Sequence, residues 1–284
     1  MTADRSRACF LRACELDVAV RKPGNVSRVS PGHRMRAEMF IASAQAAAGP
    51  LFEPGARVGE RIEAAVDASW AAAGCNTNLG IVLLCAPIAA AVQRGPDAVA
   101  PDGLRAAIEA VLGGLDRADA RAAYRAIARA RPGGLGTAPS QDVNAAPSVD
   151  LRAAMALAAD RDSIARQYRD GFVDLFDVGL AALGPGFSLS RTPDPRGAVQ
   201  RVYLALLGRF ADSHIVRNHG EAVAHIVMSA AQGWAERPVG PAGLDAEPGF
   251  VAWDERLKAE GINPGTSADL TVATLLIAGL SDPA

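Results

Sequence analysis

The chain is 284 residues long, with 50% hydrophobic and 21% charged residues and a formal net charge of −2. That balance belongs to a folded domain, so disorder is excluded, and the lack of basic excess argues against a general nucleic-acid or anionic-membrane binder. Four cysteines, Cys9, Cys14, Cys75 and Cys85, lack CxxC spacing and disulfide density, which predicts reduced thiols in a cytoplasmic protein, and no apolar run reaches the ~18 residues of a membrane span.

Alanine and leucine dominate, and the alternation that strands require is missing, so the expectation is an all-α fold: one compact multi-helix domain of about ten or eleven helices spanning 1–284. A helix over 5–20 stops at Lys22-Pro23-Gly24-Asn25, and a second, over 36–48, carries Phe40-Ile41-Ala42-Ser43-Ala44. In a third, over 57–73, Val58, Ile62, Val66 and Trp70 form the apolar stripe and Glu60, Glu63 and Asp67 a second arc. Such a row reads as a solvated face, with Glu60 set apart because it follows Val58-Gly59 in the first turn. Asn76-Thr77-Asn78-Leu79-Gly80 then leads into a helix over 78–94; one of its polar residues caps that helix, and Gly80 suits close approach of another group.

Helices are expected over 103–113 and 117–130, the latter ending at Arg131-Pro132-Gly133-Gly134-Leu135-Gly136. This glycine cluster lacks the strand and the Gly-Lys-Ser/Thr of a P-loop and reads as a helix stop. Continuous helices over 149–181, containing Asp160-Arg161-Asp162, and over 197–210 and 212–234 follow. In the last of these Asp212 and His219 fall on the buried stripe and Arg217 on an adjacent face, while His214 and His225 stand about three turns apart, too far for one metal ion. After a helix over 248–260, Asn263-Pro264-Gly265 turns into a final helix over 267–281, capped by Thr266 or Ser267 with Asp269 in its first turn.

Three polar islands therefore flank helix starts: Lys22 to Asn25, Asn76 to Gly80 and Asn263 to Asp269. Free N–H groups and the positive dipole end at such places suit anionic or polyhydroxylated ligands, which points to an enzyme of a phosphorylated sugar or nucleotide. A shared site requires the two ends of the chain to pack together.

Taken in order, Lys22-Pro23-Gly24-Asn25, Phe40 to Ala44, Val58-Gly59-Glu60, Asn76 to Gly80, Asp212-Ser213-His214 with Arg217, and Asn263 to Leu270 resemble the triphosphoribosyl-dephospho-CoA synthase family. The resemblance implies transfer of the 5-triphosphoribosyl group of ATP to the ribose 2′-hydroxyl of dephospho-CoA, with release of adenine, and Mg²⁺ on the triphosphate. It further implies that Glu60, Asp212 and Asp269 are catalytic, with Asp212 as acid or base and Glu60 and Asp269 on the metal. Lys22, Gly24, Asn25, Ser43, Asn76, Thr77, Asn78, Gly80, Arg217, Asn263 and Gly265 are then the nucleotide-binding set. Its partners are small molecules, with no nucleic acid or membrane, and a homodimer is allowed. Lyase-associated members carry Asn-Thr-His-Lys-Gly in the second island and a Leu at the place of Asn25. The differences mark a divergent branch and leave two alternatives: ribosyl-phosphate transfer to another acceptor, such as a methanopterin-type cofactor precursor, or a non-catalytic nucleotide- or phosphosugar-binding module.

Overall fold

A computed structural model describes residues 2–95, 100–138, 140–184 and 186–282. Fourteen α-helices and no strands occur among them: α1 Ala3–Ala19, α2 Ala37–Leu51, α3 Val58–Ala73, α4 Leu79–Val92, α5 Pro101–Gly113, α6 Arg117–Ala130, α7 Leu151–Ala156, α8 Ser163–Asp170, α9 Ala181–Leu183, α10 Arg196–Arg209, α11 Ser213–His219, α12 Glu221–Ala235, α13 Pro248–Ala259 and α14 Gly265–Ser281. A π-helical turn, Leu175–Leu180, runs into α9. None of the helices is long and apolar enough to cross a membrane, and all four cysteines are free.

Two expected helices are interrupted. The stretch 149–181 stops after Ala156, passes through successive turns, and restarts at Ser163, where the Asp162 carboxylate accepts from Ile164 N at 2.9 Å and Ala165 N at 3.1 Å. It breaks again at Gly171 and Phe172, both at positive φ. The stretch 212–234 is cut at Gly220, φ +86°, into α11 and α12. Consequently His219 lies on an exposed end, its ring nitrogen 3.1 Å from Gly261 O, and not in the core.

Helices α4 and α14 are the axis of the molecule. Every residue of α4 except Ala90 is buried, as its uniformly apolar sequence requires, and α14 packs against both α4 and α1. Around them α1 to α6 and α10 enclose the larger core, while Tyr203, Leu207, Ile215, Phe250 and Trp253 belong to a second cluster of α10 to α13. Ala268 joins the second cluster and Leu270 the first, so the start of α14 lies where the two cores meet.

The ends of the chain are joined at that seam. Asp254, wholly buried, accepts from Gly24 N at 2.9 Å, Arg21 Nη1 at 2.5 Å and Lys258 Nζ at 2.9 Å. Tyr203 Oη donates to Pro23 O at 2.7 Å, and Asn25 Nδ2 to Asn263 Oδ1 at 3.0 Å. Gly24, at φ +81°, sits so close to the last loop that a Cβ would stand 2.7 Å from Pro264 Cδ and 2.9 Å from Ile262 O.

Candidate active site

A cavity of about 390 Å³ opens at the seam, within the usual range of small-molecule sites. The three polar islands meet on its wall through Asn25, Asn76, Thr77, Asn78, Gly80, Asn263, Gly265 and Asp269, and Arg217 also lines it. Asn76 Oδ1 accepts from Leu79 N at 3.1 Å and so caps α4, whereas the amide nitrogen of Asn78 is buried without a partner. A buried, unpaired donor on a cavity wall is costly unless a ligand supplies its acceptor.

Asp269 is the central carboxylate. It enters from the first turns of α14 against the start of α4, where a Cβ on Gly80 would stand 2.0 Å from its Oδ2, so only glycine leaves it room. Burial pushes its carboxyl well above the usual range, the Asp17 and Asp212 charges push it further, and Arg217 opposes them. Asp17, from α1, lines the same cavity. Its Oδ1 lies 3.0 Å from Lys22 Nζ, and Lys22 also donates to the Asp17 backbone oxygen.

Arg217 Nη1 donates to Asp162 Oδ2 at 2.5 Å, which fixes the guanidinium against the cavity and leaves its buried Nε without a partner. His214, one turn earlier, also lines the cavity; burial first, then Arg217, His33 and His219, pushes its imidazole down to about 4, so the ring is neutral near pH 7. The glycine cluster is more than a helix stop. Gly134, at φ +70°, packs so tightly on Arg217 that a Cβ would be 2.8 Å from its backbone oxygen, and residues 133–136 form part of the rim.

Five predicted site residues do not reach the cavity wall, each for a physical reason. Glu60 is exposed on α3 and accepts from Arg57 N at 3.0 Å in a capping box. Its neighbour Gly59 serves helix packing, donating from its N to Asp119 Oδ1 at 2.9 Å. Glu63 and Asp67, paired with Arg125 and Arg129 of α6, complete a face that is structural. Asp212 is buried with both oxygens engaged: Oδ1 accepts from His214 N at 2.9 Å and Ile215 N at 3.2 Å, Oδ2 from Ser267 N at 2.7 Å and Ser267 Oγ at 2.8 Å. It caps α11 and ties the start of α14 to it, leaving no lone pair for acid–base work. Lys22 is wholly buried against Asp17, Gly24 spends its N–H on Asp254, and Ser43 stands behind the wall, accepting from Thr77 Oγ1 at 2.6 Å.

Asp17 enters the site without having been singled out, whereas Asp162 belongs to the Asp160-Arg161-Asp162 run and His214 to the Asp212-Ser213-His214 motif, and neither residue was given a role there. Asp17 sits in the last turn of the first helix, outside the polar island that follows it, and the α1 to α14 contact brings it to the cavity of Asp269. The adjacency of His214 to Arg217 was a usable signal once a break at Gly220 placed both on one short helix.

The profile of the CitG family, ATP:dephospho-CoA triphosphoribosyl transferase, matches residues 3–284. Among solved structures, an Archaeoglobus fulgidus protein provisionally titled triphosphoribosyl-dephospho-CoA synthase is similar with a TM-score of 0.64 and 24% identity, over 84% of this chain and 99% of its own; that likeness shows the fold. Comparison with curated proteins found no significant match.

Proposed function

The chain belongs to the ATP:dephospho-CoA triphosphoribosyl transferase family, and from that premise we propose that the cavity at the seam carries out the transfer. The family reaction uses ATP as donor and dephospho-CoA as acceptor. The bond from the anomeric carbon to the adenine nitrogen breaks, a bond from that carbon to the acceptor's ribose oxygen forms, and the hydroxyl proton ends on adenine. The single observation that supports this site most is Asp269, held by a glycine-sized gap at the meeting point of all three polar islands.

Arg217 and the free N–H groups at the start of α4 face the triphosphate, with Asn78 Nδ2 donating to one of its oxygens or to the ribose. Asp269 faces the anomeric carbon, where positive charge develops as adenine leaves. His214 takes the acid–base task that Asp212 cannot: its neutral ring offers a lone pair, and a bound triphosphate offsets the cationic neighbours that suppress its basicity. Lys22 acts through Asp17, holding that carboxylate toward the cavity.

The same wall carries the carboxylates that Mg²⁺ would need. Asp17 and Asp269 both line the cavity and would be the carboxylates that hold this ion, which typically takes one or two carboxylates plus substrate phosphates. Bound there, Mg²⁺ would offset triphosphate charge; Glu60 is replaced in this role by Asp17.

Purified protein with ATP, Mg²⁺ and dephospho-CoA is expected to release adenine in step with a dephospho-CoA adduct heavier by one triphosphoribosyl group, read by mass spectrometry. ATP binding without adenine release in the presence of dephospho-CoA would overturn the reading. Asn78 and Leu79 stand where lyase-associated members carry His and Lys, which favours a second acceptor, a methanopterin-type precursor with a ribitol hydroxyl, and the same assay with that acceptor separates the two.

A further inference from the structure

The mouth of the cavity differs in character from its interior. Among the described residues only four large hydrophobic side chains are exposed, and two of them, Leu135 at 43% and Leu157 at 57%, line this cavity. Leu135 is set on the rim by the glycine turn that rests on Arg217, and Leu157 by the turns that join α7 to α8. Four residues after Leu157, in the same turns, Arg161 also lines the cavity with its side chain exposed. The arginines around it are committed: Arg166 to Asp174 at 3.0 Å, Arg169 to Asp160 at 2.8 Å, Arg217 to Asp162 at 2.5 Å. Arg161 has no ion pair or side-chain hydrogen bond among the described residues.

Exposed leucines cost solubility, and an unpaired guanidinium beside them is the partner of an anion that carries apolar substance with it. Resting on the transfer reading above, we propose that Leu135, Leu157 and Arg161 form the acceptor's exit shelf, which takes the diphosphate and pantetheine end of dephospho-CoA. The chemistry of that molecule matches the order of the residues. Its reacting ribose must lie inside, at Asp269. The diphosphate leaves the ribose through the 5′ carbon toward the mouth, and beyond it, after one methylene, is a carbon bearing two methyl groups. An anion followed by a branched apolar group is what an arginine beside two leucines recognises. ATP, ending in phosphates held by Arg217 in the interior, has no use for the leucines. The shelf is therefore a specificity element for the acceptor alone.

The test is steady-state kinetics of L157D, L135S, R161E and R161K, each checked for an unchanged thermal midpoint. The shelf predicts that L157D and R161E raise KM for dephospho-CoA about tenfold, the loss of roughly 1.4 kcal/mol of contact, with KM for ATP within about twofold and R161K recovering part of the loss. An unaltered KM for dephospho-CoA, or an equal rise for ATP, overturns it. Calorimetric binding of dephospho-CoA to wild type and L157D separates this from the catalytic reading. If wild type binds dephospho-CoA but does not turn over, the transfer reading fails while a weaker L157D complex still supports the shelf. Equal affinity of the two proteins removes the shelf and leaves the reaction untouched.

Discussion

At the residue scale the account turns on a few groups whose environments set their chemistry. Asp269 binds its proton more tightly when folded than when unfolded, so its penalty to the fold is absent below the unfolded carboxylate value and grows as the pH rises above it. Asp269→Asn is accordingly expected to raise the melting temperature of the metal-free protein at pH 8, by roughly 2–4 °C for each kcal/mol relieved, while removing activity. Calorimetry at pH 8 and pH 5 checks the sign, since the gain shrinks at the lower pH. His214 behaves oppositely. Its folded form resists protonation, so its contribution is complete above the unfolded value of about 6.5 and is lost as the pH falls toward 4. His214→Gln should flatten the stability profile between those values, measured by urea midpoints. Gly80→Ala would drive a methyl group onto the Asp269 carboxylate. It is expected to cost about 1–3 kcal/mol and most of the activity together, which parallel unfolding and kinetic measurements would show.

At the element scale, helix ends explain much that sequence pattern alone attributes to chemistry. Asp212 caps α11 and holds Ser267 at the start of α14. Asp212→Ala is expected to destabilise the fold by about 2–3 kcal/mol, as a lost cap and an orphaned buried donor imply, and to reduce activity through misplacement of α14. An acid–base role would instead give an inactive Asp212→Asn with unchanged stability. The helical class, most element positions and the three polar islands were legible in the 284 residues because uniform apolar stretches and Pro-Gly breaks carry strong local signals. The break between α7 and α8 was not. No glycine or proline marks residues 157–162; the helix yields there because the Asp162 carboxylate accepts from N–H groups ahead of it and engages Arg217. Gly220 in a helical pattern was tolerable by propensity, and only its φ of +86° ends α11. Glu60 shows a related ambiguity: a first-turn glutamate looks the same in sequence whether it caps its own helix, as it does here, or faces a ligand.

At the scale of the whole molecule, the site exists because residues about 240 apart in sequence share one wall, as Asn25 and Asn263 do. Local periodicity cannot announce such a juncture, which is why Asp17, in the last turn of a regular helix, was invisible beside Asp269. The juncture hangs on Asp254, buried and bound to Gly24, Arg21 and Lys258. Asp254→Ala leaves Lys258 without its carboxylate and Arg21 with only its longer contacts to Glu255 and Asp245, so it is expected to cost about 3–5 kcal/mol and, in whatever folds, to expose the amides of residues 20–36 to rapid hydrogen exchange. If the region stays protected, the seam is held by other contacts.

The most direct test of where the chemistry occurs compares adenine release by Asp269→Asn and Glu60→Gln with wild type, under saturating ATP, Mg²⁺ and dephospho-CoA. A reaction at the seam predicts a loss of roughly a thousandfold for Asp269→Asn and a rate within about twofold of wild type for Glu60→Gln, whose carboxylate only caps α3. An active Asp269→Asn protein beside an inactive, folded Glu60→Gln protein would contradict the account and move the site to the start of α3.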